Sequence, residues 1–390
     1  MRKSRLWFVA IVLVALLALF FSLAPGILER DMNRVLEHPP YPISDAAKAL
    51  HASLQVADLH ADSILWQRDL LSRSDRGHVD LPRLQAGNVA LQVFDSVTKS
   101  PAGQNYQSNA TDTRDNITAL ALAQAWPPRT WRSLTERALY QARRLQSAAA
   151  ASQGQLQMIF SRPQLEQLLR QRAQGKPVVG AVLGTEGSHA LDGQLDNIEV
   201  LYSAGFRIMG LQHFFDNRLG GSLHGKSGAG LTRFGRDAVD RMLARGIILD
   251  IAHSSPQVVR DVLARSPRPI LVSHSGFQGH CDSHRNISDE LMQQVAQAGG
   301  LVGVGFWEAA VCDASPAGIA SAIAYGISLL GADHVALGSD FDGAVTASFD
   351  ISEVAAITQA LLDAGVSEKD IRKVMGGNIL RFLSEHLPDA

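Results

Sequence analysis

The chain has 390 residues, 46% of them hydrophobic and 19% charged, with a formal net charge of −2. That length supplies one large domain or two ordinary ones, with material for a packed core. The near-neutral balance leaves no electrostatic footprint for DNA, RNA or an anionic membrane surface, so nucleic-acid binding is set aside.

The N-terminus differs from the rest. MRKSR carries three positive charges, and LWFVAIVLVALLALFFSLAPGIL (6–28) contains no charged residue. A membrane-spanning helix needs about 20 apolar residues, and the flanking Lys and Arg favour a cytoplasmic N-terminus with the remainder outside. The competing reading is a cleavable signal peptide, because SLA (22–24) loosely resembles an A-x-A site. Pro25 directly after it is a poor cleavage context, and the run is long for a signal sequence. Both readings export the chain. It is then either single-pass in the cytoplasmic membrane, with its domain on the periplasmic or extracellular side, or secreted. The predicted organisation is an anchor or signal at 1–28, a polar linker at 29–48 and a single barrel domain at 49–390.

Beyond the linker, short β-branched-rich apolar runs alternate with amphipathic helical stretches, the pattern of βα units around a parallel sheet. The first two predicted strands are QVADLHA (55–61) and NVALQVF (88–94). Residues 97–176 form a long, mostly helical insertion, in which WRSLTERALYQARRLQSAAAA (131–151) is a strong helix former. Predicted strands follow at PVVGAVLGTE (177–186), FRIMGLQH (206–213), IILDIAH (247–253), PILVSH (269–274), LVGVGF (301–306) and HVALGSD (334–340). Helices such as RFGRDAVDRMLARG (233–246) and SDELMQQVAQAGG (288–300) separate them and stop at glycine. Eight strands with intervening helices predict an α/β fold. It is a (β/α)8 TIM-type barrel with a helical insertion after strand two, preceded by an N-terminal transmembrane helix. A doubly wound open sheet is the alternative, but no G-x-G-x-x-G follows the first strand. The two cysteines, Cys281 and Cys312, suit one disulfide in an exported protein, with two buried free thiols as the alternative.

In such a barrel the chemistry sits at the C-terminal ends of the strands. Strand one ends in His60 and Asp62, strand three in Glu186, strand four in His213, strand five in His253, strand six in His274 and strand eight in Asp340. A lone histidine at a strand end is ordinary; six of eight strands closing on His, Asp or Glu is a pattern. Side chains two apart on a strand share a face, so His60 and Asp62 can reach one ion together. Imidazoles and carboxylates suit Zn²⁺ and similar divalent metals. The set exceeds one tetrahedral site, and two metals about 3.5–4 Å apart, bridged by a carboxylate, would use the surplus. Glu186 is the best bridging candidate.

At this point the sequence resembles the membrane (renal) dipeptidases, a family of metal-dependent amidohydrolase-like barrels. DLHAD (58–62) resembles the family's D-G-H-N-D, and LGTEGSHAL (183–191) its glutamate-bearing segment. LDIAHSS (249–255), SHSG (273–276), HRNISDELM (284–292), GSDFDG (338–343) and GGNILRFL (376–383) are similar to further family segments, in the family's order. The resemblance implies that His60 and Asp62 bind one zinc, His253 and His274 a second, and Glu186 both, with a bridging hydroxide as nucleophile. It also implies that His213 polarises the scissile carbonyl or stabilises the oxyanion. Asp340 would move the proton from water to the leaving amine, and Arg285 would clamp the substrate's terminal carboxylate. The implied function is hydrolysis of dipeptides, including those with a D-residue at the C-terminal position. The implied partners are the dipeptide and the membrane, with a homodimer left open. Cys281 and Cys312 sit where the family often has a bridged pair.

The sequence also departs from the family. VFDSVTKS (93–100) carries Asp95 where an F-W-S-like run is usual, and GFWEAAVC (305–312) has Trp307 in place of a tyrosine. These loops shape the pocket, which keeps two alternatives open: a related barrel hydrolase acting on another amide, a lactone or a phosphoester, or a catalytically silent binding protein. Asp58 is read as structural, and Asp342 as the alternative base to Asp340. His189, His280 and His284 are expected to be solvated loop residues. Asn217 and Arg218 either line the pocket or cap their loop. GSLHGKSGAG (221–230) lacks the G-K-[ST] ending of a phosphate loop and is read as a mobile flap.

Overall fold

The computed structural model describes residues 2–389. Nine strands are present: β1 (Val56–Ala61), β2 (Val89–Val97), β3 (Leu156–Met158), β4 (Val179–Glu186), β5 (Phe206–Gly210), β6 (Ile248–Asp250), β7 (Leu271–Ser275), β8 (Leu301–Val304) and β9 (Val335–Leu337). Eight of them pair in parallel in the order β1-β2-β4-β5-β6-β7-β8-β9, and a bridge between Ala61 and Phe341 closes the ring. This is the (β/α)8 barrel expected from the alternation of elements. Every strand but β3 is buried along its whole length, as a parallel sheet covered by helices requires.

Two details differ from the sequence reading. The insertion after β2 holds helices Asn116–Ala123, Leu134–Ala151 and Arg162–Ala173, but also β3, which pairs with β4 outside the ring. Most barrel strands are shorter than predicted, and β5, β6, β8 and β9 stop before their predicted C-terminal ends. β5, β6 and β9 end at Gly210, Asp250 and Leu337, so His213, His253 and Asp340 each lie three residues beyond, on the following loops. There the chain leaves the ladder, and Asp340 (φ 60°), Asp342 (φ 65°) and Ala344 (φ 61°) take left-handed backbone conformations. Such positions cost a non-glycine residue about 1–3 kcal/mol each and persist only where the surroundings hold them.

Helix α1 (Arg2–Met32) is long and apolar enough to cross a membrane, with a mean hydropathy of 2.9 in its most apolar window. It continues through Pro25 and past residue 28, so the first residues read as linker are helical, and a second helix starts at Asp45. The far end of the chain, helix Asn378–His386, contributes Ile379, Phe382 and Leu383 to a core cluster with Leu59, Leu91 and Ala336 of β1, β2 and β9. Cys281 and Cys312 form a disulfide with a Cα–Cα distance of 5.6 Å, joining the loop after β7 to the short helix Glu308–Val311 after β8. It closes a span of 31 residues. Loop-closure entropy predicts that Cys312→Ser lowers the unfolding free energy by about 2–4 kcal/mol. A denaturation midpoint equal to that of the parent chain would contradict it.

Candidate metal centre

β1, β4 and β7 carry His60, Glu186 and His274 within the ladder, and Asp62 follows β1 directly. All four are at most 5% exposed. The Glu186 carboxylate is the hub. Its Oε1 lies 2.9 Å from His253 Nε2, 3.3 Å from His274 Nε2 and 3.9 Å from His60 Nε2, and its Oε2 lies 3.3 Å from His213 Nε2. His253 and His274 bring their Nε2 atoms within 3.0 Å of each other. His60 Nε2 is also 3.4 Å from Asp62 Oδ1 and 3.8 Å from Asp340 Oδ1. The seven residues His60, Asp62, Glu186, His213, His253, His274 and Asp340 thus meet at one mouth, and three overlapping triplets among them could each hold an ion.

The donor set fits a cation. His60 Nε2 and Asp62 Oδ1 are buried without a hydrogen-bond partner, which an interior rarely tolerates unless something else satisfies them. Burial, with Asp62 beside it, pushes the Glu186 carboxyl well above the usual carboxylate range. Burial likewise raises Asp340, with His60 opposing and Asp62 adding to the rise. At His60 burial opposes a charge, but Asp95 and Asp62 outweigh it and raise the imidazole well above its ordinary value. His253 and His274 are held far below theirs, first by burial and then by neighbouring cationic groups, so they stay neutral and keep a lone pair for a metal.

The groups behind these candidate ligands were less visible in the sequence. Asp95, noted only as a departure in a pocket loop, lies inside β2 with Oδ2 3.2 Å from His60 Nδ1, at ion-pair distance though not aligned for a hydrogen bond. Its cross-strand partner is Gly184, where a Cβ would stand 2.1 Å from the Asp95 carboxylate. That glycine opposite an acid is the signal that could have found it. Asp250 accepts from the Ser273 hydroxyl at 2.7 Å, and Ser273 Oγ in turn lies 2.8 Å from His274 Nδ1. With Nδ1 as donor to Ser273, Nε2 faces Glu186 as an acceptor. Asp58 accepts from the Ser339 backbone N–H (2.8 Å) and hydroxyl (2.6 Å) and from Gln92 Nε2 (2.9 Å), tying β1 to the end of β9.

Asp340 and Asp342 have different surroundings. Asp342 is fully buried and taken up by Arg68, by the Ser63 hydroxyl at 2.5 Å and by the His78 backbone N–H at 2.7 Å. Asp340 instead lines the cavity with Asp62, Glu186, His213, His253 and Arg285. Arg285 is 1% exposed, and donates to the carbonyls of Ala252 (3.1 Å) and His274 (2.7 Å) while lying 5.2 Å from the Trp307 ring centroid. Trp307 Nε1 donates to the hydroxyl of Tyr106 at 3.0 Å, an insertion residue with no signal in the sequence pattern.

Burial pushes the His213 imidazole down to about 3. Its Nδ1 lies 3.2 Å from the Lys99 carbonyl, which can only accept, so Nδ1 carries the proton of the neutral ring. His189, expected to be solvated, is buried 5.0 Å from the Phe215 ring because it follows Glu186 into the interior. His284 is exposed and His280 partly so. Asn217 donates to the Leu211 carbonyl at 2.7 Å and Arg218 to that of Gly193 at 2.8 Å; neither is among the residues lining the cavity. The segment read as a flap is fastened by Asp216, which accepts from the backbone N–H groups of Ser222, Lys226 and Ser227, and it buries His224 4.7 Å from Phe214. Partners that orient a ligating imidazole are worth about 10–100-fold in metal affinity. Asp95→Asn is therefore expected to weaken metal retention by about that factor, read by chelator competition. An unchanged chelator curve would contradict a role for Asp95 behind His60.

Comparison with known proteins adds a family to the fold. Residues 44–387 match the model of the family described as membrane dipeptidase, peptidase family M19. The chain is 34% identical to dipeptidase aclJ of Aspergillus oryzae over 221 residues, 53% of this chain; it spans about half of that relative's length (51%). Among solved structures, the probable dipeptidase PvdM of Pseudomonas aeruginosa superposes with a TM-score of 0.72 at 19% identity, covering 88% of this chain and 98% of that one. A metallo peptidase from Rhodobacter sphaeroides, solved with a phosphinate mimic of L-Ala-D-Ala, gives 0.69 at 24% identity, covering 86% and 99%. At those identities the superpositions establish the fold, and the family match over most of the sequence establishes the lineage: the chain belongs to the membrane dipeptidase family, M19.

Proposed function

We propose that the protein is a zinc-dependent dipeptidase acting on the outer face of the cytoplasmic membrane, held there by α1. The observation that carries this reading is the convergence of four imidazoles on one buried carboxylate, Glu186. His60 and Asp62 would hold one ion, His253 and His274 the other, and Glu186 both. When bound, two such ions acidify an attacking water and neutralise the charge that develops on the scissile carbonyl.

The chain's own groups supply the remainder. Asp340, whose proton affinity is raised by burial, is suited to take a proton from the water and return it to the leaving amine. His213 borders the same space. With Nδ1 donating to the Lys99 carbonyl, the Nε2 of the neutral ring is an acceptor. A hydrogen bond from it to an oxyanion therefore requires the ring to take up a proton there, against the burial that holds it neutral. Arg285 is immobilised by two backbone carbonyls and has N–H groups left over for a carboxylate. A planar guanidinium at a fixed place selects a free C-terminus close to the scissile bond, and so very short peptides. The resemblance to the Rhodobacter structure bound to an L-Ala-D-Ala mimic supports tolerance of a D-residue at the C-terminal position.

Assay of the metal-loaded protein against a dipeptide panel, an N-acyl amino acid and a phosphotriester tests the reading. Turnover confined to the last two would end it. Asp340→Asn should keep its metal while losing about 10²–10⁴-fold in kcat; loss of metal would make Asp340 a ligand instead. Arg285→Ala should raise KM for free dipeptides but not for carboxamide-capped ones, and an equal effect on both would contradict the clamp.

A further inference from the structure

The cavity above the metal centre has a volume of about 880 Å³, toward the upper end for small-molecule sites. One end carries Asp62, Glu186, His213, Arg285 and Asp340. The rest is largely apolar, although Asp31, Ser100, Gln104, Tyr106 and Asn116 also line it. Part of its wall is the last turns of α1: Ile27, Leu28 and Met32 line it together with Ile117, Leu120 and Phe214. These three α1 side chains are exposed, whereas Glu29 between them is 1% exposed.

Glu29 is bound into the barrel. It pairs with Arg68, and accepts from Arg76 Nε at 2.8 Å. Arg68 also pairs with Asp342, two residues from Asp340. One turn further on, Asn33 Oδ1 accepts from the Ala344 backbone N–H at 2.8 Å, and Leu36 donates to the Ala347 carbonyl at 2.9 Å. A buried carboxylate is costly unless paired in good geometry. This one therefore sets the rotation and height of α1 over the cavity, turning one face of a membrane helix toward the site.

We infer that Ile27, Leu28 and Met32 are specificity-determining residues of the dipeptide site, receiving a large apolar side chain of the substrate, and that Glu29 is the residue that positions them. The inference rests on the dipeptidase reading and narrows it to dipeptides bearing bulky apolar residues. The alternative occupant of the same side chains is lipid alone.

The test uses the full chain in detergent, metal-loaded, with Leu-Leu and Ala-Ala as paired substrates. A pocket contact of a methylene or more is worth about 10–200-fold in kcat/KM. The double variant Ile27→Ala/Met32→Ala should therefore lose at least about tenfold more on Leu-Leu than on Ala-Ala, mainly through KM. Glu29→Gln should shift the same ratio in the same direction, and Glu29→Asp should restore part of it. Leu28→Ala, read alone, covers the case in which the double variant is not recovered folded. Equal losses on both substrates, or no loss on either, would overturn the inference and leave α1 as an anchor in lipid. A parent chain inactive on every dipeptide would instead remove the dipeptidase reading, and this inference with it.

Discussion

A surplus of buried acids over the one imidazole, His60, that they hold in its charged form is the constraint around which this molecule is arranged. Asp62, Asp95, Glu186 and Asp340 all lie within reach of His60 or of one another, each at most 8% exposed. Arg285 is the guanidinium in the cavity with them, and it donates to backbone carbonyls. An isolated carboxylate in such a place would normally be neutralised by a proton. The neutral imidazoles of His253 and His274 make little sense as counter-charges, but good sense as donors to a cation that compensates the acids. The barrel makes this possible, because parallel strands deliver side chains from remote parts of the chain to one rim.

The rim is held from behind. Asp250 through Ser273 orients His274, Asp95 faces His60, and Asp58 ties β1 to Ser339 beside the Asp340 loop. That loop has three non-glycine residues in left-handed conformations, and its stability comes from Asp342, gripped by Arg68, Ser63 and His78. Through Arg68 the same grip reaches Glu29 and so the N-terminal helix. Helix α1 and the geometry of the Asp340 loop are consequently parts of one ion-pair network.

The barrel and the residues facing its mouth were legible in the sequence because both follow short-range rules. Apolar runs at regular intervals mark strands, and a His or acid at the end of such a run marks the rim. Strand ends blurred by a few residues at His213, His253 and Asp340, where the chain bends away but keeps the apolar pattern. What stayed hidden depends on pairings across the fold. Asp95 looked like a loop residue until Gly184 came to lie beside it. Asp250 looked like part of a strand, and Tyr106 like part of an insertion. Glu29 fell in a stretch that composition alone marks as linker, since nothing local reveals that Arg68 and Arg76 will close over it.

The central claim is that Glu186 sits between two cations. Crystals of the metal-reconstituted protein, with anomalous scattering collected at the zinc edge, test it most directly. Two peaks are expected to flank the Glu186 carboxylate, one against His60 and Asp62 and the other against His253 and His274. A single peak, no peak, or peaks away from that carboxylate would contradict it.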